Sequence, residues 1–145
     1  TLFPYTTLFR SLEQIHINED RELFFDMFVS LMRLCYTRQV RDLREWAENV
    51  AGWGRERQKN FLRYGGRLIR ENFIYNFRQP GMNFLTRREA DFSVRFARFI
   101  NEKNVIAIMD EFSDAEHDIE RNANARIVLF DFTLKMIVLI IQGNK

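Results

Sequence analysis

Residues 124–142, NARIVLFDFTLKMIVLIIQ, decide the fold of this chain. Apolar residues recur there at intervals of three and four, the spacing of one face of an α-helix. The predicted buried seam is Ile127, Phe130, Leu134, Ile137 and Ile141. Further apolar residues widen the stretch beyond that face, and a helix apolar on several sides must be buried on several sides. We therefore predict a helix that packs lengthwise on others, with part of its surface covered by another subunit.

The preceding sequence predicts five more helices, separated by short turns. Their approximate ranges are 19–36, 39–50, 55–78, 87–100 and a fifth from 101 or 104 to about 120. Asn18 is a plausible N-cap of the first helix, and the TRRE of residues 86–89 is a capping box for the fourth. Gly65-Gly66 inside the third helix indicates either that another helix passes close there or that the helix bends, and we favour close packing. The predicted fold class is all-α, a bundle of about six helices.

The first eleven residues, TLFPYTTLFRS, resemble the in-frame translation of a sequencing adapter rather than a native segment. We expect residues 1–11 to be such an artefact and residues 12–145 to form one helical domain, which is an ordinary domain size. On this interpretation the native start of the protein lies upstream and is missing. A signal peptide therefore cannot be judged from this sequence.

The charge of the chain is unevenly distributed. The formal net charge is only +2, but residues 33–98 carry fourteen Arg and one Lys against seven acids, a net charge of +8. Arginine favours planar, multi-donor contacts to carboxylates or phosphates. Two interpretations remain open: the arginines pair with acids on neighbouring helices of the same chain, or they meet an external partner.

The residues that usually carry chemistry are sparse. Cys35 is the only cysteine, which excludes a disulfide within the chain and suits a reducing cytoplasm. His16 and His117 stand far apart without a cysteine partner, and Asp110 and Glu111 diverge by about 100° on a helix. No phosphate-binding glycine loop occurs. We expect no catalytic, cofactor-binding or metal-binding residue in this chain, and no membrane span, since charges interrupt the apolar run of the last helix.

Three stretches together carry a family resemblance: residues 31–77, 92–105 and 117–140. The most distinctive piece is IERNAN, residues 119–124, followed by an apolar helix. This pattern resembles the C-terminal domain of the delta-prime subunit of bacterial DNA polymerase III, a component of the sliding-clamp loader. The resemblance covers nearly all of residues 20–142 and is specific as a long pattern rather than as a short motif.

The resemblance implies a helical collar domain that holds a five-membered clamp-loader ring together. It implies a hetero-oligomer in the cytoplasm whose partners are the gamma/tau and delta subunits, with DNA contacted only indirectly. The complex would load the sliding clamp in an ATP-dependent step, while this domain itself is not an enzyme. The family's AAA+ module, arginine finger and zinc module belong to the N-terminal part, so none can be assigned to a residue here.

The candidate interface lies on the third and sixth helices, because interfaces favour arginine and aromatic anchors. The candidate interface residues are Arg63, Arg67, Arg70, Arg126, Phe130 and Asp131. Asn122 and Asn124 lie where the last two helices join, and they are predicted to cap helix ends there, either as local caps or with a partner contact.

An alternative function is that of an Arg-rich helical module that binds nucleic acid. Arginines interleaved with Phe61, Tyr64, Tyr75 and Phe77 would grip phosphates and stack on bases. Acidic residues interrupt the basic ones throughout, which counts against this alternative. Binding of this kind would weaken steeply with added salt.

Overall fold

The computed structural model describes residues 4–76 and 86–143, with side chains from residue 20 onward. The elements are α1 (Pro4–Tyr36), α2 (Val40–Ala51), α3 (Arg55–Tyr75), α4 (Arg87–Phe96) with a 3-10 turn (Ala97–Phe99), α5 (Val105–Glu120) and α6 (Ala125–Gly143). The described part of the chain contains no strand, so the all-α prediction is confirmed. The turn expected between the third and fourth helices falls largely in residues 77–85, outside the described residues.

The start of α1 was predicted wrongly. The helix begins at Pro4, and Asn18 lies inside it rather than at its N-cap. Proline suits a first helical position, since its missing N–H would have no partner there. An asparagine is compatible with a helix N-cap, but its presence alone does not start a helix. The adapter origin of residues 1–11 remains a prediction.

The core surrounds α1, which packs against α2, α3 and α6. Phe28 is completely buried and makes edge-on contacts to Phe92 and Phe96, with ring centroids 6.1 and 5.9 Å apart. The Trp46 indole N–H donates to the backbone carbonyl of Met27 at 3.0 Å and ties α2 to α1. Burying a phenylalanine stabilises a fold by about 1.5–3 kcal/mol. The aromatic residues of α1, α3 and α4 therefore account for much of the bundle's cohesion.

Helices α3 and α5 cross closely at Gly65. A methyl group added at Gly65 would lie 2.2 Å from the Cε1 atom of Phe112, whose side chain is almost fully buried. At Gly66 the nearest atom, the Cβ of Phe112, would be 3.8 Å away, an ordinary contact. The predicted close packing at the glycine pair is confirmed, and Gly65 is the residue that permits it.

The side of α6 predicted to be buried is not the side that the structure buries. The buried residues of this helix are Leu129, Phe132, Thr133, Met136, Ile140 and Gly143. Ile127 and Val138, on the opposite side, are 68% and 63% exposed. A helix that is apolar all round has no periodicity to mark its buried side, so spacing alone could not choose between the two faces. Val94 of α4 is also exposed, at 67%.

Side-chain amides anchor the end of α6. Gly143 is buried, and its carbonyl accepts a hydrogen bond of 2.7 Å from the Asn101 side chain. Asn104, fully buried, donates to the carbonyls of Phe99 and Leu139. These amides tie the α4–α5 connection to the last turns of α6. In the described ranges, no helix is both long and apolar enough to cross a membrane.

Candidate functional site

The outward side of α6 forms a continuous apolar strip, termed here the α6 outer face. Its members are Ile127, Phe130, Leu134, Ile137, Val138 and Ile141. At about 100° per residue they fall within roughly 100° of the helix circumference, opposite the buried row. Three are exposed and three half-buried. Phe130 and Ile137 also pack partly against the core. An exposed apolar strip of this kind commonly marks a site of protein–protein contact.

A groove runs between this face and α2. It has a volume of about 370 Å³ and is lined by Arg44, Ala47, Glu48, Arg126, Ile127, Phe130, Asp131 and Leu134. The three predicted interface residues of α6 therefore lie in one groove. Its charges are partly paired along their own helices: Arg44 to Glu48 at 3.6 Å and Lys135 to Asp131 at 2.9 Å. Exposed pairs of this kind contribute about 1 kcal/mol or less, so they remain available to a partner.

The three predicted residues of α3 have different surroundings. Nε of Arg63 lies 2.5 Å from a carboxylate oxygen of Glu116 on α5, and Nη2 of Arg67 lies 3.0 Å from Glu89 on α4. Arg70 is exposed and makes no salt bridge to a described residue. The partners of Arg63 and Arg67 belong to α5 and α4 rather than to the α6 groove. The structure thus places the two predicted sets on separate elements.

Glu89 is the centre of a polar cluster that joins three helices. It is almost completely buried and belongs to the predicted capping box, which is present with both of its hydrogen bonds. Its carboxylate accepts from the Tyr64 hydroxyl at 2.6 Å and from Arg67 at 3.0 Å, and lies 3.7 Å from Arg21 of α1. Sequence reasoning identified the cap but missed the cluster.

Burial and the neighbouring donors shift the pKa of Glu89 in opposite directions. Burial by itself raises the pKa of Glu89, but the Thr86 backbone N–H, the Tyr64 hydroxyl and the two guanidinium groups outweigh burial and hold the pKa below its usual range. Burial, followed by the hydrogen bond to Glu89, raises the pKa of Tyr64. Glu89 is therefore a charged structural anchor whose oxygens are already occupied by its own chain.

The junction of α5 and α6 uses both predicted asparagines. Asn122 adopts a left-handed conformation, φ 64°, and ends α5 with the backbone bonds of a Schellman motif, from Ala123 N–H to Asp118 and from Asn122 N–H to Ile119. Its side-chain oxygen also accepts from Arg55. The Oδ1 of Asn124 accepts from the backbone N–H groups of residues 126 and 127 at 3.0 and 3.3 Å, which caps α6. The two asparagines thus fix the direction in which α6 leaves α5.

Internal pairing accounts for part of the basic middle segment. Besides Arg63 and Arg67, Arg57 pairs with Asp20 at 3.5 Å and Arg88 with Asp26 at 3.0 Å. Phe61 is fully buried and Tyr64 nearly so, which leaves neither ring free to stack on a base. Phe77, which also belongs to the nucleic-acid-binding alternative, lies outside the described residues. These pairs support the internal interpretation for part of the arginines, whereas Arg33, Arg70, Arg95 and Arg98 are exposed and form no salt bridge to a described residue.

The remaining chemistry-bearing residues lie apart. Cys35 is fully buried, and burial raises the pKa of its thiol to about 12, which is unsuited to a nucleophile. His117 is exposed on α5. Over the residues that the structure describes, no three His, Cys, Asp or Glu side chains group together as ligands for a metal ion.

The comparisons with known proteins add no relative. No protein-family model matches the chain, and neither a curated protein nor a solved structure shows significant similarity to it.

Proposed function

We propose that the chain is a non-catalytic oligomerisation domain of the delta-prime subunit of a bacterial DNA polymerase III clamp loader, acting in DNA replication. Its partners would be the gamma/tau and delta subunits in a hetero-oligomer. The observation that carries the proposal is the α6 outer face, a second apolar side on a helix whose first side is already buried. The family resemblance of residues 31–77, 92–105 and 117–140 supplies the identity of the partners.

The contact would be centred on Phe130. This half-buried ring lies in the α2–α6 groove beside Arg126 and Asp131, so one partner surface can meet an aromatic anchor and charges of both signs. Aromatic and arginine residues at the centre of an interface commonly contribute most of its binding energy. Ile127, Leu134 and Val138 extend the apolar contact along the helix, which suits side-by-side packing with a helix of a neighbouring subunit.

The first test replaces exposed apolar residues of this face with aspartate. Ile127→Asp combined with Val138→Asp is expected to weaken assembly with the sister collar domains by about a hundredfold or more, because the partner would bury two unpaired carboxylates. Both positions are exposed, so the melting temperature should change little. Light scattering behind size exclusion on the mixture of domains measures the effect.

The matched control for this variant places the same change on other helices. Ile106→Asp on α5 and Val94→Asp on α4 alter residues that are 71% and 67% exposed and lie outside the α6 outer face. We expect assembly to be retained in this control. Equal loss in both double variants would show that the α6 outer face has no particular role.

Arg70 provides a separate test of α3. Arg70→Glu is expected to weaken assembly without lowering stability, since Arg70 is exposed and forms no salt bridge among the described residues. Reversal of Arg67 is less informative, because it would place a second carboxylate against Glu89. Isothermal titration of the variant with each sister collar domain measures the change. Unchanged affinity would remove α3 from the interface.

A further inference from the structure

A second groove, termed here the aromatic groove, lies between α1 and the α4 segment on a different part of the molecule from the α6 outer face. Its volume is about 840 Å³, more than twice that of the α2–α6 groove. Its aromatic lining residues are Phe25, Tyr36, Phe92, Phe96 and Phe99. Tyr36 is 52% exposed, and the centroid of its ring lies 5.2 Å from that of Phe99. Phe25 and Phe96 are buried at its floor, and the part of the chain that the structure describes leaves Tyr36 exposed at its edge.

The rim of the aromatic groove carries a net positive charge, with four arginines against two aspartates. Arg33, Arg95 and Arg98 line it, are exposed, and make no salt bridge to any residue in the described ranges. Arg98 lies over the Phe99 ring at 4.9 Å. Arg88, the fourth arginine, is already paired with Asp26 at 3.0 Å. Asp91 is the one other acidic residue in the lining, so the groove favours a partner with negative charge.

A complementary surface occurs on α5. Ile106, Asp110, Asp114 and Asp118 repeat every four residues, and all are exposed. This α5 stripe differs from the other acids of the helix, since Glu111, Glu116 and Glu120 pair with Lys135, Arg63 and Lys59. The three aspartates of the stripe make no salt bridge to a described residue. From residue 106 to residue 118 the stripe is roughly 18 Å long, comparable with the roughly 15 Å of α4.

We propose that the aromatic groove of one molecule docks the α5 stripe of a second copy of this chain, head to tail. The three free arginines of the rim would meet the three free aspartates, and Ile106 would enter the apolar floor. Both halves of the contact are present on one chain, yet no salt bridge among the described residues links them within it. A contact between two different surfaces repeats from molecule to molecule, so it produces chains or rings rather than a closed two-fold dimer.

The test is sedimentation velocity on the full chain over a range of concentrations, at low and high salt. Wild-type protein is expected to associate as concentration rises, and added salt should weaken this association because exposed charges are screened. Arg95→Glu with Arg98→Glu should lower the association constant by about tenfold or more, through repulsion between like charges. Asp110→Lys with Asp114→Lys should do the same from the other side.

Mixing the two reversed variants gives the decisive result. In the mixture each acidic groove meets a basic stripe, and each basic groove meets an acidic stripe, so association should return to about the wild-type level. Unchanged melting temperatures would confirm that both variants fold. Wild-type protein that stays monomeric at every concentration, or a mixture that fails to associate, would overturn the proposal. A different outcome would assign the groove to nucleic acid instead. In that case the wild type does not self-associate but binds a labelled oligothymidylate, and the arginine variant loses this binding.

This proposal is independent of the α6 outer face. The Ile127→Asp and Val138→Asp variant is expected to self-associate as wild type does, while the groove variant is expected to keep its assembly with the sister collar domains. Loss of self-association in the α6 variant would place the contact on the wrong surface and contradict the proposal. The failure of either proposal is therefore distinguishable from the failure of the other.

Discussion

Gly65→Ala is expected to lower the free energy of unfolding by about 1–3 kcal/mol, the usual cost of overpacking a core. The added methyl group would lie 2.2 Å from the Phe112 ring, which is almost fully buried at the crossing of α3 and α5. Either the two helices separate or the ring leaves its place between Phe28 and Phe132. Denaturation in urea, followed by circular dichroism, measures the loss.

The neighbouring glycine is the control for this prediction. Gly66→Ala places its methyl group 3.8 Å from the nearest atom of Phe112, which is an ordinary contact. Because alanine is a better helix former than glycine, this variant should be as stable as wild type or more stable by up to about 1 kcal/mol. Equal destabilisation by the two substitutions would mean that α3 and α5 do not cross at Gly65.

Glu89→Ala is expected to lower the free energy of unfolding by about 3 kcal/mol. The substitution removes the side chain that accepts from the Thr86 backbone N–H, leaves the Tyr64 hydroxyl buried without its acceptor, and removes the salt bridge between Glu89 and Arg67. Breaking a buried ion pair from one side commonly costs about 3–5 kcal/mol, and the partial exposure of Arg67 and Arg21 places this case at the lower end. Glu48→Ala, which removes an exposed carboxylate, should change stability by about 0.5 kcal/mol or less.

The same carboxylate predicts a pH dependence with a definite sign. The pKa of Glu89 is lowered in the folded protein, so its contribution to stability is present above the unfolded value of about 4.3 and is lost as the pH falls through the folded value. The stability difference between wild type and Glu89→Gln should therefore shrink as the pH is lowered from 7 to 3. A difference that stays constant over this range would show that the charge of Glu89 does not stabilise the fold.

Local signals in the sequence predicted the elements better than their contacts. The capping box at residues 86–89 was predictable because it needs only residues three positions apart. Glu89 also contacts Arg21 and Tyr64, which are distant in the sequence. No local sequence pattern predicts these contacts. Gly65 likewise predicted a close approach of another helix, but nothing in the sequence predicted that Phe112 would be the neighbouring residue.

The candidate site shows the same division. Residues 124–142 predicted a helix with more apolar surface than one neighbour could cover, and the structure shows such a helix. Which face is buried could not be predicted, because the apolar residues surround the axis. Arg63 and Arg67 illustrate a further limit, since whether an arginine meets its own chain or a partner depends on where Glu116 and Glu89 lie after folding.

Light scattering behind size exclusion tests the central claim most directly. The full chain is mixed with the collar domains of the gamma/tau and delta subunits, and the molar mass of each complex is compared for wild type, the Ile127→Asp and Val138→Asp variant, and its Ile106→Asp and Val94→Asp control. We predict a defined hetero-complex for the wild type and the control, and separate components for the α6 variant. Wild-type protein that remains apart from both partners, or a complex that survives in the α6 variant, would contradict the account.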